Sequence, residues 1–208
     1  MKTNNTISHL TKKVLLNYKG TAIWFICIII GISIALSIAS NYWIEVRVNG
    51  VNSVNGIMFV LGILSTGISF IMYLEAGVTR KNYFWANTAA FLILSFGILL
   101  VGMIVNAVLS SFYDFISPVS FSKLFTSGLT CMLYYYGGWL ISLLIYNYGA
   151  KLWLPAVIAG GAIIVLTEYS IWVFQSMPEI FTILILLAIL VAVTFLMKHV
   201  VSKINVKM

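Results

Sequence analysis

Polar and apolar positions in this chain fall into long blocks rather than a short-period alternation. Six stretches are almost continuously apolar: 21–43, 57–74, 84–109, 124–146, 152–173 and 180–197. Each comes close to or exceeds the ~20 residues a helix needs to cross the hydrocarbon core of a bilayer. Strands do not fit, because the runs neither alternate nor stop at strand length. A helix satisfies its own backbone hydrogen bonds, as lipid requires. The pattern therefore predicts an all-α integral membrane protein, a six-helix transmembrane bundle over residues 21–200. Turn-forming residues punctuate it at Asn49-Gly50, Asn55-Gly56, Asp114 to Pro118, Asn147 to Lys151 and Pro178.

The first 20 residues follow another pattern. Ile7, Leu10, Val14, Leu15 and Tyr18 fall near one helical face, with Lys12, Lys13 and Asn17 elsewhere. This spacing predicts an N-terminal amphipathic helix lying in the inner membrane interface. Residues 201–208 form a short cytoplasmic tail. The basic start, with Lys2, Lys12, Lys13 and Lys19, is not followed by a small-residue cleavage site, so the first span is expected to remain as an anchor.

Composition points the same way, since 62% of the 208 residues are hydrophobic and only 8% are charged. A water-soluble domain sits near 45–50% apolar and about 25% charged. So few charges cannot cover a water-facing surface. Their distribution sets orientation. With the amino terminus inside, Lys2, Lys12, Lys13, Lys19, Arg80, Lys81, Lys151, Lys198, Lys203 and Lys207 all fall on inner segments, leaving Arg47 and Lys123 outside. The excess of inner cations predicts cytoplasmic termini and a multi-pass plasma-membrane protein. Glu45, Asp114 and Glu179 lie on the outer side and Glu75 on the inner. Trp24, Trp85 and Trp153 mark the inner interface, Trp43 and Trp172 the outer. The net charge of +7 is thus spread along a membrane rim facing anionic headgroups. It is not a patch for nucleic acid, which is not an expected partner.

Catalytic chemistry is not legible. His9 and His199 fall outside the spans, and Cys27 and Cys131 sit singly within apolar runs as packing residues. H-E-x-x-H, G-x-S-x-G, paired carboxylates and the phosphate-gripping G-x-x-x-x-G-K-[ST] loop are all missing. No catalytic residue, metal ligand or cofactor site is expected on this chain, and an enzyme is not the expected reading. Glu168 is the ionisable residue inside a span. It admits two accounts: contact with a neighbour near the outer interface, or a proton or substrate site. Tyr134, Tyr135 and Tyr136, followed by Gly137, Gly138 and Trp139, either pack in the bundle or line a passage for amphipathic cargo. Gly31 with Ala35, Ser33 with Ser37, and Ala156 with Gly160 predict close helix packing.

The inner connector between the second and third spans is the most informative segment. It reads Leu74-Glu75-Ala76-Gly77-Val78-Thr79-Arg80-Lys81-Asn82-Tyr83-Phe84. Gly77 can end one helix at positive φ, and Thr79 can cap the next. Arg80 and Lys81 fix positive charge there, and Tyr83, Phe84 and Trp85 anchor the following span. Residue types alone allow either a positively charged loop with an aromatic belt or a docking element.

The run Gly77, Val78, Thr79, Arg80, Lys81, Tyr83, Phe84 resembles an element of type-2 ABC exporter permeases, six-helix subunits that pair with a separate ATPase. Tyr146 to Lys151, with Tyr148, Gly149 and Lys151, is similar to that family's second inner loop, and the basic start is similar to its elbow helix. The resemblance implies that Glu75 to Phe84 couple to a cytoplasmic ABC ATPase, which would carry ATP and Mg, in a bacterial cell membrane. It implies a second permease chain, identical or related, and export of amphipathic peptide or other hydrophobic cargo, with Tyr134 to Tyr136 and Glu168 as pathway candidates. The connector near Phe174–Glu179 is too short for the re-entrant hairpin of glycan exporters, which favours a compact peptide exporter similar to those for bacteriocins or phenol-soluble modulins. An ion-coupled carrier using Glu168 and a non-transporting immunity or sensor protein are the alternatives.

Overall fold

The computed structural model describes residues 7–16, 19–20, 23, 50–66, 70–110, 121–174 and 177–204. The helices are α1 (residues 7–16), α2 (Gly50–Ser65), α3 (Ile71–Glu75), α4 (Arg80–Ser110), α5 (Phe121–Tyr148), α6 (Trp153–Val173) and α7 (Glu179–Lys203). No strand occurs among the described residues. The predicted first span at 21–43, apart from Ile23, the loop residues Asp114 to Pro118 and the tail beyond residue 204 lie outside them.

Four helices are long and apolar enough to cross a membrane: Arg80–Val101 within α4, and α5, α6 and α7. These are the predicted third to sixth spans, and the chain is an all-α membrane protein. Each helix meets or overruns its apolar run, apart from one residue at the start of α6, because helical hydrogen bonding continues into the polar interface. The predicted second span departs from a uniform α-helix. Its apolar helix, Val54–Ser65, is short, and Thr66 and Phe70 adopt wider π-helical geometry before α3. The connector between α6 and α7 is as short as expected, with Met177 N–H donating to Phe174 O at 3.0 Å.

Burial inverts the rule for soluble proteins. The span in α7 is the most apolar of the four, yet only 22% of it is enclosed; α5 is the least apolar and 78% enclosed. Lipid is the outer solvent, so the most oily helix faces outward and the helix with more polar and small residues lies within. Helix α5 is thus the axis of the bundle.

Pairings along α5 give the topology. Asn55 meets Cys131 and Gly62 meets Trp139, so α2 runs parallel to α5. On α4, Phe84 meets Trp139 and Phe96 meets Phe125; Tyr136 meets Thr194 of α7 while Ser122 donates to Glu179. Tyr134 pairs with Glu168, and Ile141 faces Gly160. The helices α4 and α6 therefore run antiparallel to α5, while α7, like α2, runs parallel to it.

Glycine makes the two tightest crossings. A Cβ on Gly138 would lie 2.1 Å from Phe59 O, and one on Gly62 would lie 2.2 Å from Tyr135 O. On the other side of α5, a Cβ on Gly160 would lie 2.5 Å from Gly137 O. The predicted small pair Ala156 and Gly160 thus packs within one bundle, with Ala156 fully enclosed. Trp139, buried beside Gly138, touches the rings of Tyr83, Phe84, Tyr135 and Tyr136.

Helix α1 is amphipathic as expected, but its apolar face is turned onto protein rather than lipid. Leu10 and Val14 are buried, and Val14 and Leu15 face Ala90, Phe91 and Leu94 of α4 across a narrow apolar crevice. Lys12 and Lys13 stay exposed. Packing against a grooved helix surface gives van der Waals contacts that mobile lipid does not match.

The close crossings predict that Gly138→Val destabilises the protein by about 3 kcal/mol or more, the upper range for overpacking, because backbone atoms cannot yield. Gly161→Val, where a Cβ meets nothing within 4 Å, should change stability by no more than ~0.5 kcal/mol. Thermal unfolding of the two detergent-solubilised variants measures the difference.

Candidate functional site

The connector between α3 and α4 is a rigid joint with no slack. Gly77 takes φ +77°, where a side chain would be strained. Its N–H donates to Leu74 O at 3.0 Å, and Val78 N–H donates to Tyr73 O at 2.9 Å. Those two bonds use carbonyls that the end of α3 would otherwise leave free. Two residues later α4 begins. Thr79 Oγ1 accepts from Asn82 N–H at 3.3 Å, and Thr79 O accepts from Tyr83 N–H at 2.9 Å, so Thr79 is the N-cap.

The joint has an outer and an inner face. Glu75, Gly77, Thr79 and Lys81 are exposed, and Val78 and Arg80 are half-buried. Tyr83 and Phe84 are each 1% exposed, which makes them core residues rather than a docking surface. Tyr83 OH donates to Ser65 O at the end of α2, at 3.3 Å, and its ring packs edge-on against Phe70. Phe84 stacks on Trp139 at 5.8 Å with 15° between ring planes. Arg80 Nη1 donates to Ser202 O at 3.1 Å. That carbonyl lies in the last turn of α7, where helical partners run out and the dipole favours a cation. One joint is therefore wired to α2, α5 and α7.

The second loop lies at the same end. Gly149 takes φ +80°, with its N–H donating to Ile145 O at 2.8 Å, and Ala150–Leu152 form a single 3-10 turn. Tyr148 and Lys151 are exposed. Tyr146 packs edge-on against Phe70, 6.1 Å away, and so joins this loop to the first. Arg80, Lys81, Lys151, Lys198 and Lys203 gather at this end. Lys123 and Glu179 lie at the other.

The tyrosine run divides. Tyr134 OH donates to Glu168 Oε1 at 2.7 Å, which supplies the neighbour anticipated for this acid; Glu168 itself is exposed on α6. Tyr135 and Tyr136 are fully buried. Tyr135 stacks on Phe91 at 3.9 Å and accepts from the Asn87 amide. Tyr136 OH donates to Thr88 Oγ1 and accepts from Thr194 Oγ1, both at 3.3 Å. The structure thus brings Tyr134 and Glu168 together on one outer face and knots Tyr135 and Tyr136 into α4 and α7. Sequence reasoning missed Asn87, Thr88 and Thr194. Their signal was present, as isolated polar residues inside apolar runs. Asn87 Oδ1, Trp139 Nε1 and Thr66 Oγ1 are buried with no hydrogen-bond partner. No group of three His, Cys, Asp or Glu that could hold a metal occurs among the described residues.

Capping at the joint predicts that Thr79→Ala destabilises the protein by about 1 kcal/mol, whereas Thr79→Asn stays near wild type. Thermal melts, with limited proteolysis at 75–82 as a local readout, check the pair of variants.

The chain matches no protein-family model, no curated protein and no solved structure. The resemblance to exporter permeases therefore rests on the residues of the two loops and on the helix pattern.

Proposed function

We propose that this chain is the membrane-spanning permease subunit of an ABC exporter, six spans with cytoplasmic termini, driven by a separate ATPase. The observation that carries the reading is the joint itself. Its Gly-Val-Thr-Arg-Lys-x-Tyr-Phe run is hydrogen-bonded at every turn, exposed on one side and tied to three helices on the other. A flexible surface loop would absorb a push; this one passes it on. Force on Thr79 and Lys81 reaches α5 through Phe84 on Trp139, and α7 through Arg80 on Ser202. Such coupling suits rigid-body gating, in which packed elements move between discrete arrangements. The gathering of cations at this end supports its placement in the cytoplasm, where an ATPase would sit.

With Tyr135 and Tyr136 enclosed, a pathway is assigned to the space between two permease chains, identical or related. Amphipathic peptide or another hydrophobic cargo is the substrate class, and a bacterial plasma membrane the setting. The test separates docking from folding. Lys81 is exposed and free of the α7 contact, so Lys81→Glu should leave the melting temperature unchanged. It should weaken co-purification of the partner ATPase by at least ~10-fold, since a reversed charge at an interface costs over a kcal/mol. Retention of a fully active ATPase on this variant overturns the coupling assignment.

The Tyr134–Glu168 pair favours a second reading, an ion-coupled carrier that uses Glu168. That reading requires proton-gradient-dependent uptake in vesicles to vanish in Glu168→Gln. Flux that responds to ATP and ignores this substitution eliminates it.

A further inference from the structure

The outer wall of the bundle carries a groove of about 250 Å³ between the start of α4 and the end of α7, lined by Trp85, Leu190, Val191, Thr194, Phe195 and Lys198. Three features define what suits it. Its walls are apolar over nearly their whole length, and they open sideways where Val191 and Phe195 are exposed. Thr194 breaks that character in name only, because its hydroxyl donates to Leu190 O at 2.7 Å and its oxygen lies 3.3 Å from Tyr136 OH. Along Leu190, Val191, Thr194 and Phe195 a hydrocarbon occupant leaves no polar side chain without a hydrogen bond. At the rim sits Lys198, its Nζ held 6.0 Å from the centre of the Trp85 ring. No carboxylate pairs with Lys198 among the described residues.

The lengthwise order is apolar inward and cationic outward. From Lys198 to Leu190 the helix rises about 12 Å, so the charge stands at headgroup level when the groove lies in the acyl region. Tryptophan at the boundary is the side chain that favours that level. Arg80, at the same end, is occupied by Ser202 O, and Lys198 is the cation that lines this groove.

We propose that this groove binds one anionic phospholipid, with its phosphate on Lys198 and one acyl chain along Leu190, Val191, Thr194 and Phe195. A zwitterionic lipid offers the same phosphate together with an ammonium that opposes Lys198, so the site selects net negative charge. This assignment is independent of the exporter reading, because it needs neither an ATPase nor transport.

The test uses the full chain in nanodiscs containing phospholipids brominated on the acyl chains, which quench tryptophan on contact. The protein has six tryptophans, so the difference between wild type and Trp85→Phe isolates the Trp85 signal. That signal should half-saturate at an about fivefold lower mole fraction of brominated phosphatidylglycerol than of brominated phosphatidylcholine, the factor expected for one lysine at a membrane surface. Lys198→Gln should abolish the preference and Lys198→Arg should keep it. Val191→Phe should reduce Trp85 quenching by both lipids. Equal half-saturation by the two headgroups, or a preference that survives Lys198→Gln, overturns the proposal and leaves ordinary annular lipid. Native mass spectrometry of the wild type released from mixed micelles gives an independent reading. Retained phosphatidylglycerol supports the site, and its loss together with phosphatidylcholine opposes it.

Discussion

Everything in this bundle depends on how closely α5 lets its neighbours approach. Gly138 admits the backbone of α2 at Phe59 and Ile63, while Gly62 admits α5 in return. One residue earlier, Gly137 meets Gly160 of α6 on the opposite side. In lipid no hydrophobic force drives helices together, so association relies on van der Waals contact, and small residues are what make that contact extensive. Two adjacent glycines in one helix therefore position three helices. The large rings then fill what remains: Trp139 beside Gly138 becomes the surface on which Phe84 stacks and against which Tyr83 and Tyr136 rest.

This arrangement gives the joint at Gly77–Thr79 its mechanical character. A helix stop and a helix start share four residues, and both use side-chain or left-handed backbone geometry that few substitutions reproduce. Behind them Tyr83 and Phe84 are locked into the α5 seam. The same residues that place the joint at the membrane surface deny it independent motion. The polar knot of Asn87, Thr88, Tyr135, Tyr136 and Thr194 adds hydrogen bonds deep in the bundle. These are expensive to break where water is absent, and they bind α4, α5 and α7 into one body.

Some local features were legible with unusual sharpness. Gly77 as a positive-φ stop and Thr79 as an N-cap follow from residue type and spacing, because both are satisfied within a few residues of chain. The same holds for the turn at Asn147 to Lys151 and for the amphipathic face of α1. What could not be read was which way a face points. Tyr83 and Phe84 look like interface anchors in the sequence and are core residues in the fold. Leu10 and Val14 fit lipid as well as they fit α4, since both surroundings are apolar. The π-helical geometry at Thr66 and Phe70 was equally hidden, because an apolar run specifies burial in lipid without specifying a regular α-helix.

By itself, the chain's pattern of long apolar runs, sparse charge and glycine-threonine punctuation determined a helical membrane protein, the positions of its four long apolar helices and the caps of the connector between α3 and α4. These depend on transfer free energy and on backbone geometry over a few residues, both of which are local. Only the tertiary structure decided that α5 is the axis, that Tyr134 pairs with Glu168 while Tyr135 and Tyr136 are sealed inside, and that Arg80 reaches the end of α7. Those outcomes depend on the choice among apolar surfaces that lipid treats alike. That choice is made by shape, through the close approach that glycines on separate helices allow, and shape of that kind is not written in any one segment.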